Sequence, residues 1–261
     1  MAYVISVINQ KGGVGKTTTA AAVAAGLEER GAKSLLVDLD AQCNLSYTVG
    51  ADTSGATVLG VLLKEVSAAD AIQRNEDENH LYSVDIIAGS KSLAGADRFI
   101  TETGKEYRLK EALDTIADRY EYIIIDTPPA LGILTVNALT ASDSVIIPIQ
   151  ADVFSLNGVS QLMETMEPVK KYCNPKLTVE GLLLTRFSSR SVLSKEIAEM
   201  AADMAEKMGT KLFKAKIREA VAVREAQISR QTLNDYAPGA KVTLDYKELV
   251  WEIMRERCTH E

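Results

Sequence analysis

Residues 9–18 read Asn-Gln-Lys-Gly-Gly-Val-Gly-Lys-Thr-Thr and follow directly on the apolar run Tyr3-Val4-Ile5-Ser6-Val7-Ile8. A strand that runs into a glycine-rich turn and then a helix suits a nucleoside triphosphate. Glycines let backbone N–H groups close on phosphate oxygens without a Cβ in the way. The following helix aims the positive end of its dipole at the same anion. Lys16 reaches the β- and γ-phosphates, and the Thr17 hydroxyl is placed to ligate Mg²⁺. The general pattern G-x-x-x-x-G-K-[ST] is incomplete, because Gln10 stands where its first glycine belongs. A second lysine, Lys11, stands at the mouth of the loop instead. One lysine suffices for the phosphates of its own chain, so Lys11 implies charge aimed elsewhere. The plain alternative is a glycine turn with two solvated lysines, and the seven consecutive matches in a strand–turn–helix context outweigh it.

A phosphate loop needs a carboxylate nearby to help hold the metal shell. Tyr122-Ile123-Ile124-Ile125-Asp126 provides one, at the carboxyl end of an apolar strand where ligands of parallel sheets sit. The competing role for Asp126 is to cap the next turn. A second acidic pair ends the run Ser34-Leu35-Leu36-Val37, in Asp38-Leu39-Asp40-Ala41-Gln42-Cys43-Asn44. If that strand continues, Asp38 and Asp40 point the same way by period two. A carboxylate at this edge can orient or polarise the water that attacks a γ-phosphate.

The elements that must position these residues alternate. Short apolar, β-branched runs are separated by longer amphipathic stretches, which predicts an α/β fold with a mostly parallel, twisted sheet and helices on both faces. Strands are expected at 3–8, 34–38, 84–88, 121–126, 144–149 and 179–185, with a weaker one near 211–215. Helices are expected at 17–30, 56–64, 106–118, 132–140, 156–172, 191–208 and 243–257. Gly31 closes the first helix, and Pro128-Pro129 forces a loop after Asp126. No repeat, low-complexity tract or linker interrupts the pattern, so 1–261 is expected to form one domain.

The 261 residues are 46% hydrophobic, enough for a large core, and carry a net charge of −7. That charge argues against bulk attraction to nucleic acid or anionic lipid but not against a local patch. Residues 170–241 hold 14 Lys/Arg and 8 Asp/Glu, a net of +6 in an acidic protein. An ordinary solvated surface is the commoner meaning of scattered lysines, yet an anionic polymer would bind here if anywhere. Cys43, Cys173 and Cys258 are odd in number and far apart, which fits a reducing compartment and no metal site. His80 and His260 are expected at the surface. No leader-like or membrane-spanning segment is evident, so a cytoplasmic location is expected.

Taken together these segments resemble the ParA family of partition ATPases, within the class with the deviant phosphate loop that also includes MinD. The matching residues are Lys11-Gly12-Gly13-Val14-Gly15-Lys16-Thr17-Thr18, Asp38-x-Asp40-x-Gln42-x-Asn44, Asp126-Thr127-Pro128-Pro129-Ala130-Leu131-Gly132, Thr135-x-Asn137-Ala138-Leu139 and Glu225-Ala226. The likeness runs from about residue 2 to about residue 255. Ala41 and Cys43 stand where that family usually has Pro and Gly.

The resemblance implies an ATPase that uses ATP and Mg²⁺. Lys11 would cross to the partner's phosphates in an ATP-bound homodimer. Lys16, Thr17 and Thr18 would bind phosphates and metal within the chain, Asp40 would activate water, and Asp126 would support the metal through a water. It further implies nonspecific DNA binding by the dimer, nucleoid association, and a ParB-like adaptor that stimulates hydrolysis during plasmid or chromosome partition. Arg190, in Phe187-Ser188-Ser189-Arg190-Ser191, stands where the family carries a DNA-binding arginine. The family's Ile-Pro near the adenine is here Ile217-Arg218, followed by Glu219, with Lys211, Lys214, Lys216, Arg218 and Arg224 able to supply the basic surface.

Three rivals share the core machine. A MinD-like membrane-positioning ATPase needs a basic, bulky amphipathic C-terminal helix. The tail 248–257 mixes acids with bases, so it is expected to pack on the core with Trp251 buried and without stable membrane association. The related iron–sulfur reductases need cysteines near 128–132, which are lacking. A ParA-like ATPase that positions a protein cargo has the same motifs. With the first strand at about residue 3, an operator-reading helix–turn–helix is not expected.

Overall fold

Seven strands form one sheet in the order β3-β4-β2-β5-β1-β6-β7 in a computed structural model that describes residues 1–74 and 84–260. They are β1 (Tyr3–Val7), β2 (Ser34–Asp38), β3 (Ile72–Gln73), β4 (Asp85–Ile87), β5 (Tyr122–Asp126), β6 (Ser144–Gln150) and β7 (Thr178–Thr185). Every neighbouring pair is parallel except β3 with β4. The central strands are unbroken apolar runs because helices cover both faces, leaving no solvated side to demand alternation.

The helices are α1 (Lys16–Glu28), α2 (Asn44–Thr48), α3 (Val58–Leu62), α4 (Ala68–Ala71), α5 (Ala96–Phe99), α6 (Arg108–Asp114), α7 (Ile133–Ala141), α8 (Val153–Tyr172), α9 (Val192–Lys207), α10 (Val221–Ile228), α11 (Leu233–Tyr236) and α12 (Lys241–His260). On one face, α1 and α12 pack over Ile5, Val7, Leu36, Ile124 and Ile146. On the other, α3, α6 and α7 cover Val4, Leu35, Val37, Ile123 and Ile125. Helices α8 and α9 pack on Val145, Ile147, Ile149, Leu182 and Leu184. Small residues let α1 nest deeply: a Cβ on Gly26 would stand 2.8 Å from Val250 Cγ2 of α12.

Six of the seven strands fall where expected, β4 over three residues only, and Gly31 adopts φ +83° just past α1. Elsewhere the structure differs from the reading of the sequence. The segment 211–215 makes a single bridge, Leu212 to Leu182, rather than a strand. Its neighbour α12 supplies a carboxylate in place of another strand: Glu252 accepts the N–H groups of Lys214 and Ala215. The expected helix 106–118 is only α6, flanked by 3-10 turns at 105–107 and 117–119. Two-residue β3 and the short α2, α4, α5, α10 and α11 were not foreseen, because elements of so few residues carry too little periodicity to recognise. Trp251 is 49% exposed, against the expectation of burial; Leu249, Val250 and Ile253 form the buried stripe instead. Its ring lies under the Arg255 guanidinium, 5.0 Å from centroid to Cζ. His80 falls outside the described residues, as do the side chains of Cys258 and His260.

Candidate nucleotide site

The strand order places the chemistry. Neighbouring strands lie about 4.8 Å apart. The carboxyl ends of β2, β5, β1, β6 and β7 therefore form an edge about 19 Å long, with the phosphate loop at its middle. Above it opens a cleft of about 1090 Å³ lined by residues 12–18, Asp40, Thr185, Arg186, Ile217, Arg218 and Tyr246, among others.

The loop is held before any ligand arrives. Gly13 and Gly15 adopt φ +75° and +91°, and Gly15 caps α1 in the left-handed region that a side chain would strain. Asn9 Oδ1 accepts the Lys11 N–H at 2.9 Å, and Asn9 Nδ2 donates to the Pro148 carbonyl at 2.7 Å. Thr185 Oγ1 donates to the Val14 carbonyl at 2.9 Å, tying the far side of the loop to β7. Lys16 Nζ donates to the Lys11 carbonyl at 3.2 Å. Burial lowers the Lys16 pKa, and the opposing attraction of Asp126 and Asp40 does not fully offset it.

Thr17 Oγ1 donates to Asp126 Oδ2 at 2.6 Å. Asp126 is fully buried and its pKa is well raised, first by desolvation and then by the charge of Asp38. Its Oδ1 is buried with no hydrogen-bond partner among the described residues. An orphaned carboxylate oxygen beside a threonine hydroxyl is the all-oxygen donor set that suits Mg²⁺. No group of three or more His, Cys, Asp or Glu among the described residues could cage a metal. This fits an ion held by one or two protein oxygens together with substrate phosphates.

The two carboxylates at the end of β2 lie in different surroundings. The strand ends at Asp38, so the period-two argument stops there. Asp38 Oδ2 accepts from Ser46 N–H at 2.9 Å and Ser46 Oγ at 2.7 Å, while its Oδ1 accepts the Asp40 N–H at 3.1 Å. Ser46 Oγ in turn accepts the Gly89 N–H at 2.8 Å. Asp38 is thus a buried anchor for the loop, and Asp40 lines the cleft. Cys43, where the resembled family has Gly, adopts φ +54°. Burial, then Asp38 and Asp40, push its thiol up to about 11.

Lys11 turns away from the loop. Its Nζ pairs with Asp152 Oδ2 at 2.6 Å and donates to Ser155 Oγ at 3.2 Å. Asp152 also accepts the Ser155 N–H at 2.9 Å as the cap of α8. Asp-x-x-Ser ahead of a helix was a legible capping signal; its meeting with Lys11, 141 residues away, was not.

The basic candidates divide. Phe213, Ala215 and Ile217 point inward, while Lys214, Lys216 and Arg218 alternate outward along an extended segment. Phe187 bridges to Arg218, bringing the exposed Arg190 loop alongside. Lys211 Nζ lies 4.5 Å from the Phe213 ring centroid and Lys216 Nζ 4.8 Å from that of Phe187. Arg224 is exposed on α10. Arg218 is committed to Asp245 through Nε and Nη2, each at 2.7 Å. Asp152, Ser46, Arg186 and Asp245 are site residues that the sequence reading missed.

A glycine phosphate loop at the carboxyl edge of a parallel sheet, beside a hydroxyl–carboxylate pair, defines a P-loop nucleoside triphosphatase. Residues 2–179 match a family model described as an AAA domain. The chain is 39% identical over 251 residues to the sporulation initiation inhibitor protein Soj of Bacillus subtilis, covering 94% of this chain and 96% of that one. It is 38% identical to the chromosome partitioning protein ParA of Caulobacter vibrioides, covering 85% and 83%. A crystal structure named as cobyrinic acid a,c-diamide synthase from Mycobacterium smegmatis, with bound ADP and magnesium, superposes with a TM-score of 0.85 at 32% identity, covering 100% and 97%. Cyanothece apo McdA shares the fold, with a TM-score of 0.85 at 23% identity over 97% and 100%. The chain belongs to the ParA family of ATPases. It is an ATPase, and its phosphate loop and Thr17–Asp126 pair are consistent with ATP and Mg²⁺.

Proposed function

We propose that this ATPase dimerises on ATP, binds DNA without sequence preference as the dimer, and drives plasmid or chromosome partition with a DNA-bound, ParB-like adaptor that stimulates hydrolysis. The observation that carries the reading is Lys11. It turns from its own loop, stays one-third exposed, and is held by one ion pair to Asp152 and one hydrogen bond to Ser155. A cation so placed serves a second subunit better than its own, and charge delivered to a γ-phosphate only on dimerisation couples assembly to chemistry.

In this reading the loop N–H groups and Lys16 bind the phosphates, while Thr17 and Asp126 hold the metal, Asp126 through a water. Bound Mg²⁺ would neutralise phosphate charge. Asp40, on its anchored loop, orients the attacking water, and Lys11 from the partner stabilises the charge that develops. Exposed Arg190, Lys214, Lys216 and Arg224 supply the DNA surface, with Lys211 at its margin and Arg218 largely neutralised by Asp245. The relatives named for chromosome partitioning support the cargo, as does the net +6 of residues 170–241.

The test separates the two lysines. Lys16→Ala abolishes ATP binding in a nucleotide titration. Lys11→Ala binds mononucleotide nearly as wild type but stays monomeric with ATP on sizing. Dimerisation of Lys11→Ala with ATP would remove the role in trans.

One observation favours a second reading. Exposed Leu244 and Trp251 share a stripe of α12 with Lys241, Glu248 and Arg255, a small apolar face that a MinD-like, membrane-positioning ATPase would use. Flotation with anionic liposomes and ATP decides between them, and the DNA reading expects no flotation.

A further inference from the structure

Helix α7 begins without a cap of its own. Its N-cap residue is Gly132, which has no side chain to accept an N–H of the first turn. The acceptor comes instead from α5: Asp97 Oδ1 takes the Ile133 N–H at 2.9 Å, from 36 residues away in sequence. The carboxylate lies so close that a Cβ on Gly132 would stand 2.8 Å from Asp97 Oδ2 and 3.1 Å from Oδ1. A side chain at 132 would exclude Asp97, and the positive end of the helix dipole favours the charge that glycine admits. Leu93, Ala96 and Ile100 root the Asp97 segment in the same buried cluster as Ile133, Leu134 and Ala138.

The start of α7 is also the end of the segment 127–132, which leaves β5 directly after Asp126. Thr127 Oγ1 ties the beginning of that segment to the Val7 carbonyl at 2.9 Å. Thr135 Oγ1 donates to the Ala130 carbonyl at 2.7 Å, and Asp97 closes the far end. Between these ties Pro128, Pro129 and Ala130 line the cleft, as do Asp97 and Asp40. Leu39 N–H donates to the Asp126 carbonyl at 3.0 Å, so Asp40 and the segment leave the sheet side by side. The result is a wall, fixed at three points, along the part of the cleft that Asp40 shares. The phosphate loop is tied separately, through Asn9 and Thr185.

We infer that Asp97 is a positioning residue for ATP hydrolysis. By capping α7 it fixes the 127–132 wall beside the attacking water, and it acts on turnover rather than on ATP binding. The inference rests on the reading of Asp40 as the group that orients that water.

Steady-state hydrolysis of Mg²⁺–ATP by the whole chain, read beside nucleotide titration, tests it. Asp97→Ala is expected to lower kcat about 3- to 30-fold, the cost of a displacement of a fraction of an ångström, with ATP affinity nearly unchanged. Asp97→Asn keeps an oxygen for the Ile133 N–H and restores most of the rate. Gly132→Ala drives a methyl into the carboxylate and also slows turnover. Added to Asp97→Ala it costs nothing further, because the clash is gone. Thermal melting confirms that each variant is folded, and Gly132→Ala carries the test by itself if Asp97→Ala does not fold. Wild-type kcat in Asp97→Ala or Gly132→Ala overturns the inference. So does a loss of ATP affinity equal to the loss of rate, a loss of rate that more protein restores, or an Asp97→Asn as slow as Asp97→Ala. Wild-type hydrolysis by Asp40→Ala would instead overturn the reading of the water.

Discussion

Lys11 and Asp152 form a 2.6 Å ion pair that joins the mouth of the phosphate loop to the cap of α8. The pair is formed within one chain and is one-third exposed, so a competing anion can displace the carboxylate at little cost. Asp152 has a lowered pKa: burial raises it, but the bonds from Lys11 and Ser155 outweigh that. The pair therefore persists throughout the neutral range.

Releasing Lys11 should ease assembly. Asp152→Asn retains a capping oxygen for α8 while removing the charge that detains Lys11. Half-maximal ATP-dependent dimerisation is expected at an ATP concentration lower by up to about fivefold, the reach of a pair worth at most about 1 kcal/mol. Analytical sizing against ATP concentration measures this, and a requirement for more ATP would show that Asp152 contributes to the dimer instead.

If Asp40 orients the attacking water as proposed, Asp40→Ala should trap the ATP-bound dimer, since the proposed phosphate and metal ligands stay in place. Hydrolysis falls to near background while the dimer persists. Ser46→Ala loosens the anchor beneath that loop by removing the bonds to Asp38 and Gly89, so kcat drops about tenfold with ATP affinity nearly intact. Steady-state kinetics beside nucleotide titration separates the two. A variant that cannot bind ATP would instead assign the residue to the metal or to folding.

Asp126 makes stability depend on pH. Its carboxyl binds a proton more tightly folded than unfolded, so its contribution is full below the ordinary carboxylate range and is lost as pH rises through the raised folded value. Without nucleotide or Mg²⁺, Asp126→Asn should melt several degrees above wild type at neutral pH, a gain of about 1–3 kcal/mol. The advantage should vanish as pH falls below about 4. Melting curves across pH measure it, and a gap that widened in acid would reverse the sign of the argument.

DNA binding should need ATP, ignore sequence and fall steeply with salt. Each neutralised phosphate contributes a log–log slope of about −0.9, so a patch of a few residues gives roughly −3 to −6 over a dimer. Arg190→Glu should weaken binding to all duplexes alike and leave the DNA-free ATPase rate unchanged. Titrations of unrelated duplexes at several salt concentrations check both. Tight binding by the nucleotide-free monomer would remove the dimer gate.

The residues from Lys11 to Thr18, the long strands and Asp126 at the end of β5 were legible from the chain alone. Their chemistry is local: a glycine's positive φ, a helix dipole and an apolar run are properties of neighbours in sequence. Tertiary structure decided what those residues meet. Asp38 is buried while Asp40 lines the cleft because Ser46 offers Asp38 an N–H and a hydroxyl that only packing brings within reach, the hydroxyl itself held by the Gly89 N–H. Trp251 faces outward because the groove on α1 takes Val250 against Gly26. Lys11 finds Asp152 and Arg218 finds Asp245 across 141 and 27 residues. Hydrophobic periodicity indicates which side of an element is buried, whereas charge pairing depends on the approach of distant segments, and only the folded sheet sets that distance.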